Sequence, residues 1–292
     1  MNAGKEIDAL LRLIDDPDQE VYDTVQHKLL QYGSPVIPHL ENLWQQSVSD
    51  YVQERIEMII HRIHFLELKR ELYAWRNGEA DLLHGALLVA RYQYPEIEAI
   101  KLKQDIERMR RNLWLELNHL VTPVEQAKIM ESILYNYHKI AGSEINYSKP
   151  DDFLLHKVVE RKKGNAITLR ILYLLLAEMV DIPVKAIQVP QQFLMGYVAP
   201  SALFNQHYDT GEGASHIKFF VDPNSGVAFS HLDLMNYFNR IGIQPVAQYF
   251  KPMDNLQVIQ NLLHEFGHCF QTPDTQYKRD ELYQLEKMLD NY

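Results

Sequence analysis

The chain has 292 residues, 46% of them hydrophobic and 23% charged, an ordinary globular composition with enough length to bury a sizeable core. Its 12 glycines and 13 prolines make up roughly 9% of the residues against about 12% on average, which excludes collagen-like repeats and disfavours turn-rich all-β folds. A formal charge of −10 without any long basic run argues against nucleic acid as a partner, because a sequence-independent binder needs a lysine and arginine footprint.

The N-terminus, MNAGKEIDALLRLIDD, lacks the basic region and apolar stretch of a signal peptide. Ile7, Leu10, Leu11 and Ile14 recur at helical spacing up to DDPD. A second helix is predicted from near Pro17 to Gly33, with Val21, Val25, Leu29 and Leu30 on one face. Pro35 opens a third, and Val52, Ile56, Ile59 and Ile63 mark a fourth. The DPD start, the glycine between helices and the Ile-Pro pair of DPDQEVYDTVQHKLLQYGSPVIPHLENLW resemble one HEAT-type helical repeat. Such helix pairs stack their apolar faces on neighbours. Residues 1–72 are therefore expected to form a HEAT-like region, followed by a helical connecting region over 73–150.

Within that connector, DLLHGALLVARYQYPEI predicts a helix broken near Pro95, and a long charged helix follows to about Leu120. Thr122 and Pro123 read as the cap and first residue of the next, with Gly142 as its stop. Arg108, Arg110 and Arg111 alternate with acids and read as a solvated face. A short helix over 153–161 leads to Gly164 and then to a helix from Ala166 to Val180 that is apolar almost all round. The longest nearly apolar run inside it, Ile171 to Ala177, is far short of a membrane span. Strand-like runs VKAIQV, FLMGYVA and HIKFFVD follow, the last two separated by a polar loop from Pro200 to Ser215. Helices over 254–270 and 274–289 close the chain. The predicted class is α+β, mostly α, with a small antiparallel sheet in a core over 151–250 and a helical hairpin over 251–292.

The stretch DDFLLHKVVERKKGNAITLRILYLLLAEMVDIPVKAIQVPQQFLMGY, followed by FFVDPNSG, resembles the transglutaminase-like core of SirB-type bacterial proteins. The shared features are the VxERxxGN turn into a buried helix, the IPV exit, the Phe-Leu strand start and the Asp-Pro pair after an aromatic strand. The upstream ALLVARYQYPEI also fits, so the resemblance covers roughly 80–245. It implies a papain-like fold in which active members place a cysteine at the start of the buried helix. There the helix dipole favours a thiolate, with a histidine as base and an aspartate orienting it. Carried over position by position, the cysteine falls on Ala166, the histidine on Gln192 and the acid on Asp222. The resemblance thus implies a catalytically degenerate site, with Asn165, Thr168, Gln192 and Asp222 as candidate binding residues for a protein or peptide and no cofactor. It also implies a loose link to regulation of gene expression. An enzyme of the same fold with non-standard groups at those positions is the first alternative.

The residues themselves carry blander readings too. Thr168 suits a first-turn hydroxyl bonded to backbone, Asp222 a turn former before proline, and the isolated His207 and His216 structural or solvated roles. A second alternative rests on HEFGH at 264–268. On a helix His264 and His268 share a face suited to zinc, with Glu265 as potential base and Glu281 or Glu286 as a third ligand from the next helix. Those histidines share their face with Gln257 and Asn261, away from the apolar stripe, and are expected to point to solvent. The sole cysteine, Cys269, excludes a disulfide framework and a multi-cysteine zinc site. The sequence leaves open whether the 200–215 loop covers the groove. The chain is expected to be cytoplasmic, without a membrane partner, and its oligomeric state is not encoded in any feature of the sequence.

Overall fold

The computed structural model describes residues 3–199 and 216–290. The predicted loop over 200–215, with His207, lies outside them. Two compact units divide the chain, Met1–Ala74 and Trp75–Tyr292. The segments 73–150, 151–250 and 251–292 therefore fall almost wholly in the second.

The first unit is helical. Helix α1 spans Ala3–Leu11 and α2 spans Gln19–Tyr32, where Asp18 caps the N-terminus by accepting from the Glu20 amide. Gly33, at φ 66°, ends α2 in a conformation that disfavours side-chain-bearing residues. After a 3₁₀ turn at Ser34–Val36 come α3, Ile37–Gln46, and α4, Asp50–Arg76, which runs on past the division. The helical-period residues Ile7, Leu10, Val25, Leu29, Leu40, Ile56 and Ile59 form one buried cluster.

The second unit is built around a buried helix. Before it come α5, Leu82–Arg91, α6, Ala99–Glu116, α7, Pro123–Glu131, and α8, Leu155–Arg161. Thr122 caps α7 in a reciprocal box with Glu125, and Pro123 takes the first helical position. The helix then widens into a π turn at Ser132–Tyr137 and stops there. Gly142 is not its stop, as expected from sequence, but the centre of strand β1, Ala141–Ser143, which pairs in parallel with β2, Lys163–Asn165. A strand of three residues is too short to show a period of two.

Helix α9, Ala166–Met179, follows β2 directly and packs against α5, α6 and α8, so its apolar residues are covered on all sides. A four-stranded antiparallel sheet flanks it, in the order β3, Val184–Ala186, β4, Met195–Val198, β5, Ile217–Val221, and β6, Ala228–Phe229. Helix α10, His231–Ile241, was not anticipated by the sequence pattern. Ser230 and Asp233 form its capping box, and Leu234 and Phe238 are buried with Met235 and Ile241 packed partly buried against the same cluster. Helices α11, Asn255–Gly267, and α12, Gln276–Lys287, form the closing pair, and α11 also packs on α5 and α9. The class is α+β, mostly α. Among the described residues no helix is long and apolar enough to cross a membrane.

Candidate functional site

The turn GN before α9 fixes the first group of candidate residues. Asn165 is the N-cap, fully buried, and its Oδ1 accepts from the amides of Ile167 and Thr168, each at 3.1 Å. Its Nδ2 is buried without a partner, as is Ser143 Oγ of the paired residue on β1. Ala166 follows as the first helical residue and presents only a methyl group where a helix N-terminus would best stabilise a thiolate. Thr168 is fully buried, and its hydroxyl donates to the Asp152 carbonyl at 2.9 Å. That hydroxyl is committed to backbone.

Register sets the next two. Met195 pairs with Val221, so Gln192 and Asp222 lie beyond the same end of β4 and β5. The Asp222 carboxylate accepts from the Asn224 amide at 3.0 Å and the Ser225 hydroxyl at 2.7 Å, shaping the turn that leads to β6. Gln192 is exposed, with its amide bonded to the Val189 carbonyl.

Gln192 opens onto a pocket of about 590 Å³, and Asn165, Ala166, Thr168 and Asp222 do not line it. Its floor is Arg170, one helical turn after Ala166, and its walls come from the segment 187–193, from α11 and from Glu286 of α12. Arg170 is 1% exposed. Its Nη2 donates to Asn261 Oδ1 at 2.5 Å, its guanidinium lies 5.3 Å from the Phe193 ring centroid, and its Nε is buried without a partner. Burial pulls the Arg170 pKa down to about 10, and Glu265 opposes the shift. Neither Arg170 nor Asn261 stood out as a site residue in the sequence. The available signal was a lone arginine inside ITLRILYLLLA.

The HEFGH residues border the same pocket. His264 and Glu265 line it, and His264 and His268, both partly exposed, pack beside Tyr283 of α12. His264 Nδ1 lies 3.2 Å from Glu286, while its Nε2 lies 3.3 Å from His268 Nε2. These two nitrogens leave opposite edges of the ring, so Glu286 and His268 do not converge on one ion with His264. Glu265 accepts from Tyr147 at 2.6 Å, and Glu281 from Tyr92 at 2.7 Å. Among the described residues no group of three or more His, Cys, Asp or Glu is placed to hold a metal ion. Burial, with Asp152 and Glu265 nearby, pushes the Cys269 thiol up to about 12, so it is protonated at neutral pH.

The family model described as the transglutaminase-like superfamily matches residues 100–264. The chain belongs to that superfamily. The matched span takes in the GN turn, α9, the sheet and most of α11, so the transglutaminase-like core includes the pocket's floor and much of its wall. Protein SirB1 of Salmonella typhimurium is 22% identical over 198 residues, covering 66% of this chain and 68% of that protein. The UPF0162 protein YchA of Escherichia coli K12 is 21% identical over the same length. A UPF0162 protein of Xylella fastidiosa strain Temecula1 is 27% identical over 117 residues, 39% of this chain. The chain spans only 41% of the length of that relative. The SirB-type resemblance of the core thus holds. No solved structure matches the chain.

Proposed function

We propose that this transglutaminase-like protein is non-catalytic and binds a protein or peptide through the pocket beside Gln192. One observation carries the reading: a methyl group stands at Ala166, where acyl transfer by this fold requires a nucleophile. Gln192 compounds it, since a carboxamide cannot take a proton as an imidazole does. The Thr168 hydroxyl donates to a backbone carbonyl, and the Asp222 carboxylate is engaged in its own turn. An enzyme using non-standard groups would have to break both arrangements before reaction. The helical first unit offers a further, HEAT-like contact surface, and the cytoplasm is the compartment that suits the chain.

Two measurements on the full chain test this. Glutaminyl peptides and activated esters are incubated with wild type and with Asp222→Asn. No product above buffer is expected. Turnover by wild type that Asp222→Asn abolishes would establish an enzyme. In parallel, retention of a pool of short peptides is compared between wild type and Gln192→Trp, after circular dichroism shows the variant folded. Filling the pocket mouth is expected to cut retention at least about tenfold, a loss of roughly 1.4 kcal/mol. Equal retention would move the function away from this pocket.

A further inference from the structure

Arg170 carries a positive charge into the interior, and no carboxylate is hydrogen-bonded to it; Glu265 acts on it only through its field. Taking an ion out of water is costly unless a counter-charge and hydrogen bonds offset it. The contacts of Arg170 are one neutral carboxamide, Asn261, and the Phe193 ring. Its Nε has no acceptor at all. The titratable groups facing the pocket besides Arg170 are Glu265, Glu286, His264 and Tyr249, and both carboxylates are held elsewhere, by Tyr147 and by His264. The guanidinium thus lines the cavity with its buried Nε–H unbonded and one Nη2 bond to a neutral carboxamide. A cavity of about 590 Å³ lies within the usual size range of ligand sites, roughly 300–1,000 Å³.

We propose that this pocket binds a carboxylate-bearing peptide, with Arg170 as the anchor for the carboxylate and the surrounding carboxamides of Gln192, Gln260 and Asn261 as its polar lining. This deepens the peptide-binding reading and rests on it. Guanidinium and carboxylate are matched planar forks, and their charge-assisted bonds are about twice as strong as neutral ones. Asn261 Oδ1 sits on Nη2 where an anionic oxygen would sit, and the broad terminal torsion of an asparagine lets its carboxamide turn aside. Glu265 and Glu286 in the walls repel a polyanion, which selects a single carboxylate over phosphate. The carboxylate is either a peptide C-terminus or an acidic side chain; the chemistry at Arg170 is the same.

The experiment is a titration of the full chain followed by the arginine Nε–H and carboxamide resonances in nitrogen-15 NMR. The Arg170 signal is assigned by its loss in Arg170→Met. Four probes are used up to about 10 mM, beyond the ordinary weak-binding range: acetyl-Ala-Gln-Ala with a free C-terminus, the same peptide amidated, amidated acetyl-Ala-Glu-Ala, and inorganic phosphate. One or both carboxylate peptides are expected to shift the Arg170 Nε–H and the Asn261 carboxamide, and which one does so identifies the source. Arg170→Met is expected to weaken that peptide at least about tenfold. Equal binding of the amidated neutral peptide overturns the carboxylate anchor but leaves peptide binding standing. Phosphate shifting Arg170 as strongly as the peptides overturns the selectivity, and no shift from either carboxylate peptide overturns the site. Cleavage of a probe that still shifts Arg170 sinks the non-catalytic reading alone. If Arg170→Met fails to fold, assignment by Arg170→Lys serves and the wild-type spectra decide.

Discussion

Arg55 and Arg170 are both nearly buried, at 7% and 1% exposure, yet their surroundings differ in kind. Arg55 donates to the carbonyls of Ile14 at 2.8 Å and Asp16 at 2.7 Å, and its guanidinium sits 4.1 Å from the Tyr22 ring centroid. It ties down the chain between α1 and α2. Arg170 satisfies one carboxamide and no carbonyl. Replacing a poorly compensated buried charge with an apolar residue of similar volume is often stabilising. Arg170→Met is therefore expected to raise the unfolding free energy by about 1–3 kcal/mol, read as a higher denaturant midpoint at unchanged slope. Arg55→Met is expected to lower it by about 2 kcal/mol, because one buried and one partly buried acceptor lose their donor. If Arg170→Met were instead destabilising by a similar amount, the arginine would be a structural strut and its place at the pocket floor incidental.

At the scale of elements, β1 is the piece that joins the candidate residues together. Gly142 pairs with Gly164, one residue before the cap of α9, and faces the turn that follows Asp222. A Cβ there would lie 2.5 Å from the Asn224 carbonyl and 2.7 Å from its Cβ. Gly142→Ala is expected to destabilise by about 1–3 kcal/mol through overpacking, seen as a lower melting temperature. An unchanged melt would mean that the turn yields freely. Why this element escaped the sequence reading is physical: three residues carry no alternation, and the glycine marks close approach of another backbone rather than a helix end. Helix α9 was legible because fourteen residues repeat one message. The Asp222 turn and the Thr168 backbone bond followed from local chemistry as well, whereas Asn165, read as a binding candidate, proved to be the cap. The pocket did not, since its floor and walls come from α9, from the segment before β4, and from α11 and α12 far along the chain. Even so, Arg170 in an apolar run and the polar face of α11 were its two visible halves.

For the molecule as a whole, the question is whether one stability or two describe it. The core of the first unit contains only residues between Ile7 and Ile63, and the cluster beneath β4, β5 and α10 lies entirely beyond Ile187. Units with separate cores are able to unfold as separate cooperative transitions. Calorimetry of the full chain is accordingly expected to show two. Leu40 is fully buried in the first core, and Leu40→Ala should cost about 2–5 kcal/mol. That loss is expected to displace one transition and leave the other in place. Arg170→Met should move only the transition that Leu40→Ala leaves alone. The opposing force is helix α4, which passes from one unit into the next without a break. Only its last two residues, Trp75 and Arg76, lie beyond the division. Trp75 is 4% exposed, with its indole donating to the Asp81 carbonyl at 2.7 Å, which fixes that end of the helix. If both substitutions instead shift a single transition, α4 couples the two cores into one cooperative unit, and a ligand bound at Arg170 would then stabilise the helical first unit as strongly as the core that holds it.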